Sequence, residues 1–455
     1  MIKANYLFKF FIIFLITLPY SIYSQSLNYM RDAVILNMVN NITAENIKTD
    51  IETLAGFGTR HTFSDTISNM RGIGAARRWV KSEFEKYAKD SDGRLKVIFD
   101  PFEVEPDGKR IPKKTLLKNV LAVLKGTDTS DNRIFIVCGH LDSRATDVMD
   151  DSSYAPGADD DASGVAVVME LARIMSRHQF PSTIIFAAVC GEEQGLFGSA
   201  HLAELAKNNN WNIAAVLNND MVGNSTSGGT SLKDNIQFRI FSEGIPLYET
   251  NEMAKIREYR SGGNDSKSRE LARYIKEIGE EYVDQIEVKL IYRTDRFLRG
   301  GDHISFNKFG FPAVRLCEMN ENYEHQHQNV RIENGIQYGD LPEFVDYEYA
   351  GRIAAVNLAA LANLALAPAE PGNVGIDTRE LTNFSKIKWQ PPEGNKPAGY
   401  YVLMRETDQP VWQKKFFVQD TTITLPYSKD NYFFAVQSVD KEGHTSLPVF
   451  PYPIR

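Results

Sequence analysis

Two histidines, two aspartates and a glutamate scattered between residues 140 and 303 have the donor types of a divalent-metal centre: His140, Asp160, Glu193, Asp220 and His303. Neutral imidazole nitrogen with carboxylate oxygen, and no thiolate, suits zinc, with cobalt or manganese as substitutes, in a catalytic rather than a closed structural site. If one aspartate bridges, these side chains give each of two ions three protein ligands, and four positive charges meet three carboxylates and one hydroxide. Two ions about 3.5–4 Å apart polarise a carbonyl, generate hydroxide near neutral pH and stabilise a tetrahedral oxyanion. Glu192, spare beside Glu193, is placed to take the proton from water and return it to a leaving amine.

Such residues must be delivered by elements that end together. The runs Ile134 to Cys138, Thr183 to Val189 and Ile213 to Leu217 are uninterrupted apolar segments, the pattern of strands covered on both faces. They end in Gly139-His140-Leu141-Asp142-Ser143, in Gly191-Glu192-Glu193-Gln194-Gly195 and in Asn218-Asn219-Asp220-Met221. Their carboxyl ends therefore converge where open α/β sheets bind ligands. His140 and Asp142 share one side of an extended chain, so Asp142 is placed to orient the imidazole for a metal. Asp159, Asp160 and Asp161 lie between the Pro156-Gly157 turn and a helical run, Val165 to Met175. The plain alternative for this triplet is an acidic cap on the helix dipole. Spacing does not choose among the three acids. His325 and His327, two apart, are read as substrate-loop or supporting residues because the ligand set is already full. Arg293, Arg296 and Arg299 offer either a clamp for a substrate carboxylate or a solvated basic face.

Taken in order, His140-Leu141-Asp142-Ser143, Pro156 to Gly164, Glu192-Glu193-Gln194-Gly195-Leu196, Asn219-Asp220-Met221 and Asp302-His303 with Gly310-Phe311-Pro312-Ala313 resemble family twenty-eight of the metallopeptidases. These are co-catalytic di-zinc exopeptidases that include secreted leucyl-type aminopeptidases. The resemblance covers roughly residues 40 to 366. It implies a mixed, mostly parallel sheet flanked by helices, with Asp160 as the bridge, His140 and Asp220 on one ion, Glu193 and His303 on the other, and Glu192 as base. Gly301 departs from the serine that many relatives carry before the Asp-His pair, and the stretch between Gly223 and Arg299 matches no subgroup. The expectation is an exported zinc aminopeptidase acting on peptides. A carboxypeptidase or dipeptidase on the same centre stands second, then a glutaminyl cyclase, and, from another class, an inactive peptide-binding homologue.

Size and composition frame this. The chain has 455 residues, 43% hydrophobic and 24% charged, with a net charge of −8, too long for one ordinary core. Met1 to Gln25 holds two lysines, an apolar run from Phe10 to Pro19 and small polar residues after it, the order of a cleaved signal peptide (residues 1–24) rather than a membrane span. Its removal takes away two lysines and no acid, moving −8 to −10. Such a surface argues against nucleic acid and anionic membrane as partners. Cys138, Cys190 and Cys317 lie in or at the ends of apolar runs and read as buried thiols, not a disulfide framework. A peptidase domain over 25–366 is followed by a Pro/Ala/Gly linker, 367–374. Beyond it the apolar period becomes two, and short strands over 375–455 indicate a small all-β sandwich. Trp389-Gln390-Pro391-Pro392 and Tyr432-Phe433-Phe434-Ala435-Val436 resemble a fibronectin type III module. It holds no catalytic set and is available to bind another protein or a polymer.

Overall fold

Strands made largely of Val, Ile, Phe, Ala and Leu are stable where both faces leave water, and such strands form the middle of the sheet. The computed structural model describes residues 31–394 and 396–454; the signal-peptide expectation for 1–24 lies outside the described residues. The main sheet has eight strands in the order β1-β2-β4-β3-β5-β8-β6-β7. They are β1 Leu95–Val104, β2 Thr115–Leu124, β3 Arg133–His140, β4 Thr183–Val189, β5 Asn212–Asn219, β6 Gln237–Ser242, β7 Glu287–Ile291 and β8 Ala313–Glu318. β4, β3, β5 and β8 run parallel. β1 and β2 are added antiparallel at one side, and β6 joins β8 antiparallel at the other, so the sheet is mixed.

Helices Ala44–Gly56, Gly72–Ala88, Ala162–Met175, Lys267–Tyr282 and Tyr347–Leu366 cover one face, where Val137, Ala188, Leu217 and Val314 meet Val165, Ile275 and Leu358. Helices Phe197–Asn208 and His303–Asn307 cover the other, with Leu202, Ala206 and Phe306 against Ile136, Ile185 and Val216. Tyr347–Leu366 is apolar and long enough to cross a membrane, but it is buried along its length as the core helix. One glycine fixes the approach of helix to strand. A Cβ on Gly164 would stand 2.3 Å from the carbonyl oxygen of Asn219, so only glycine lets Ala162–Met175 lie against the end of β5.

The C-terminal strands form a four-stranded sheet from Gly372–Asp377, Ser385–Gln390, Thr422–Leu425 and Tyr452–Ile454, and a three-stranded sheet from Gly399–Glu406, Lys414–Val418 and Tyr432–Val439. Val374, Ile387, Trp389, Tyr400, Val402, Phe434 and Val436 pack between them. The first strand begins inside the stretch read as linker, because Gly372 pairs with Gln390. This sandwich sits firmly on the larger α/β body. Trp412 Nε1 donates to Glu270 Oε2 (3.0 Å), and Asp265 accepts from both Arg273 and Arg405. Asn363 Oδ1, on the core helix, accepts from Tyr274 Oη (2.6 Å) and from the Thr445 amide (3.0 Å). Leu447 reaches the main hydrophobic core itself. All three cysteines are buried and unpaired.

Candidate metal centre

His140 is the last residue of β3, Asp220 follows β5, and Glu192 and Glu193 open a single helical turn after β4. Asp160 lies just before helix Ala162–Met175, which the close approach of Gly164 holds against β5. The His140 Nε2 is 3.0 Å from Asp160 Oδ1 and 3.9 Å from Asp220 Oδ1. Its Nδ1 meets the backbone carbonyl of Asp142 at 2.9 Å. A carbonyl only accepts, so Nδ1 donates to it, which turns the Nε2 edge of the ring toward the two carboxylates.

That contact revises the expectation for Asp142. Its carboxylate is 3.8 Å from the His140 ring; it accepts instead from the amides of Glu192 (3.2 Å) and Glu193 (3.1 Å) and from Thr62 Oγ1 (3.2 Å). Asp142 orients the imidazole through its main chain and fixes the Glu192-Glu193 turn through its side chain.

The larger correction concerns the second histidine. His303 Nε2 donates to the Thr294 carbonyl at 2.7 Å and lies 3.7 Å from Asp295, so it is not gathered with the other four residues. His327 is. Its Nε2 stands 2.9 Å from Asp160 Oδ2 and 3.0 Å from Glu193 Oε1. The centre thus holds two triads, His140-Asp160-Asp220 and Asp160-Glu193-His327, with Asp160 in both. His327 is carried by a loop and has a left-handed φ of 56°. The loop is tied across the mouth by a reciprocal pair: Thr146 N to Asn329 Oδ1 (2.9 Å) and Asn329 N to Thr146 Oγ1 (3.0 Å). Gln326 Nε2 adds a bond to Asp160 Oδ2 at 3.1 Å. The spacing of His325 and His327 was the available signal, but His325 stacks on Phe344 instead, with ring centroids 3.8 Å apart.

The acidic triplet divides its labour. Asp159 accepts from the Gly223 amide at 2.7 Å. Asp160 joins the triads. Asp161 caps the helix through Gly164 N (3.0 Å) and also takes the amides of His140 (2.9 Å) and Met221 (3.2 Å). The cap role falls to Asp161, while Asp160 is the acid brought beside His140 and His327.

The electrostatics suit a cation. Burial pulls the His327 imidazole down, but Glu193 and Asp160 outweigh it and hold the ring up to about 10. Burial would raise Asp160, yet His140 and His327 keep it well below the ordinary carboxylate range. Asp220 Oδ2 is buried and has no hydrogen-bond partner among the described residues, the condition of a donor atom awaiting a metal. Two imidazoles and three carboxylates without sulfur thus fit two zinc-like ions. Burial, together with Glu193 and Asp220, pushes Glu192 well above the usual glutamate range, with His140 opposing. Of the three arginines, Arg296 is taken up by Asp295 (3.2 Å) and Glu321 (3.1 Å). Arg293 lies over the Phe297 ring, and Arg299 donates to Gln326 Oε1 at 3.1 Å.

The sequence and the fold both have known relatives. The model of Peptidase family M28 matches residues 119–346, a span that includes both triads. A "Probable zinc metalloprotease" of Leptosphaeria maculans is 47% identical over 417 residues, covering 91% of this chain and 96% of its own. One from Pyricularia oryzae is 44% identical over 431 residues, covering 93% and 85%. Among solved structures, the LapA aminopeptidase of Legionella pneumophila aligns with a TM-score of 0.52 at 20% identity, covering 73% of this chain and 74% of that one. An aminopeptidase from Aneurinibacillus sp. strain AM-1 aligns at 0.50 and 16% identity, covering 72% and 95%; both show likeness of fold. With half the chain matched by the family model and close relatives aligned across nine-tenths of it, this protein belongs to Peptidase family M28.

Proposed function

We propose that the chain is an exported zinc exopeptidase that removes N-terminal residues from peptides. The observation that carries this reading is the sharing of Asp160 between two three-donor groups, which provides for two ions rather than one. His140, Asp160 and Asp220 would hold the first, and Asp160, Glu193 and His327 the second. Zinc is favoured by the donor chemistry and by the name of the relatives. Bound there, the ions supply Lewis acidity toward the scissile carbonyl and toward water.

The rest falls to the chain. Glu192 is held by its own amide on Asp142, 3.2 Å away, beside Glu193 and outside both triads, where a general base is needed. It accepts a proton from the attacking water and delivers it to the leaving amine. The Asp142 carbonyl holds the His140 ring in one orientation, with Nε2 on the side of Asp160 and Asp220. Export rests on the order of charged, apolar and small residues in Met1 to Gln25. The alternation of the C-terminal strands supports a fibronectin type III-like module, docked as a structural partner of the peptidase body.

The test is hydrolysis of an aminoacyl-anilide with and without a chelator, alongside metal analysis. Chelator-sensitive turnover and close to two zinc per chain are expected. A dipeptide blocked at its amine should resist cleavage while one blocked at its carboxylate is cut. The reverse outcome sinks the aminopeptidase assignment in favour of a carboxypeptidase, and absence of all cleavage favours an inactive binding protein.

A further inference from the structure

Although the chain is acidic overall, arginines border the open side of the metal centre. Among the five donors His327 has 24% of its side chain exposed, against 6% or less for the others, so the mouth lies on its side. Arg144 stands there, with Nη1 3.8 Å from Glu193 Oε2. That is an ion-pair distance, too long for a hydrogen bond. The other edge of the guanidinium is clamped by its own loop: Nε donates to the Ala145 carbonyl (3.1 Å) and Nη2 to the Thr146 carbonyl (2.9 Å). Thr146 is the residue tied to Asn329, so the loop that sets Arg144 also holds the His327 loop. Arg299 reaches Asp160 only through Gln326 and is itself 3.6 Å from Glu321, which leaves Arg144 as the guanidinium facing the centre directly.

A guanidinium fixed in plane by two carbonyls, with its third corner turned toward the reacting centre, has lost little entropy still to lose when it meets a planar anion. When Glu193 serves a cation, its charge no longer answers that of Arg144. Resting on the peptidase reading above, we propose that Arg144 binds a carboxylate of the substrate close to the scissile bond. The preferred substrates are peptides with an acidic side chain, or with a free C-terminal carboxylate, within a residue of the cleaved bond.

The zinc-loaded full chain is offered Glu-Ala-amide against Gln-Ala-amide, and Ala-Ala against Ala-Ala-amide. The first pair reports a side-chain carboxylate and the second a main-chain one. In at least one pair the carboxylate form should have the higher kcat/KM by roughly 10- to 100-fold, the scale of a hydrogen bond to a charged group. Arg144→Gln should bring that ratio toward one, and Arg144→Lys should keep part of it; zinc content and Tm are read on each variant. Calorimetric titration with glutamate and glutamine should show the same preference without turnover if the side-chain arm is the one used. Equal kcat/KM within both pairs, or an Arg144→Gln that lowers all four substrates alike with loss of zinc, overturns the carboxylate site and leaves the peptidase reading standing. No chelator-sensitive cleavage of any of the four overturns both.

Discussion

Arg315 Nη2 donates to Oδ1 of Asp220 across 2.8 Å, where the arginine side chain has no exposure and the aspartate 3%. The pair sits at the seam of β5 and β8, with Asn218 opposite Arg315 in register. Nη1 of the same guanidinium reaches Asp295 at 3.3 Å, and Asp295 in turn faces His303. The Asp-His pair that resembles the family motif thus supports the centre from behind, through Asp295 and Arg315. One oxygen of Asp220 is anchored while Oδ2 is left for a cation. Arg315→Met should strand the buried carboxylate of Asp220, while Asp295 keeps Arg296, costing about 3–5 kcal/mol and lowering zinc retention. Thermal unfolding and metal analysis after dialysis check this; full zinc with an unchanged Tm would show that Asp220 does not need the anchor.

His327 and His303 should separate cleanly on substitution. His327→Ala is expected to lower the zinc bound per chain and weaken activity by several orders, since it removes a donor to Asp160 and Glu193. His303→Ala should reduce Tm, because its ring is buried against Thr294 and Asp295, with zinc stoichiometry kept near the parent's. Metal content measured side by side decides it.

Glu192→Gln should keep metal content near the parent while kcat falls by roughly 10²-fold or more, the scale of general-base catalysis. Metal loss in this variant would mean that Glu192, not Glu193, is the donor.

Asp50 provides a pH test far from the metals. On helix Ala44–Gly56 it is 8% exposed, and burial, with Glu170 and Glu83, pushes it from 3.8 to about 8. Folding therefore holds a proton that the unfolded chain releases. Its stabilising effect is complete below about pH 4 and is lost as pH rises through about 8. Asp50→Asn should raise Tm at pH 7–8, by roughly 2–4 °C for each kcal/mol recovered, and the gain should vanish near pH 4. A gain independent of pH would assign the effect to packing.

Trp412→Ala removes the indole that donates to Glu270 and faces Arg405, with 5.2 Å from the guanidinium to the ring centroid. Loss of a large aromatic at a docked surface costs about 3–5 kcal/mol. Because Leu447 and Thr445 engage the peptidase body, calorimetry of the full chain should show one transition. Two separated transitions would mean that the sandwich is only tethered.

His140, Glu193 and Asp220 were legible because each follows a run of residues that can only be a covered strand, and local rules decide where such a run stops. Asp160 needed the family resemblance, since three identical side chains in a row carry no spacing signal; the structure separates them by which amides they meet. His327 escaped because its place depends on Thr146 and Asn329, 183 positions apart, and loop closure of that kind leaves no periodic trace. His303 misled for the converse reason: it sits in a motif that backs the centre without entering it. The start of Gly372–Asp377 was lost to the linker because two glycines and an asparagine within six residues hide a strand that is paired on both sides. Helix Asn251–Tyr259 has no buried residue and so no apolar stripe to announce it.

Asn363, on the core helix, shares one side-chain oxygen between Tyr274 of the larger body and the Thr445 amide of the sandwich. Cutting the chain at the linker would bare the seat of Leu447 in the main core and leave a buried acceptor one donor short. The sandwich is in this sense a stopper for its neighbour's interior, not a detachable appendage.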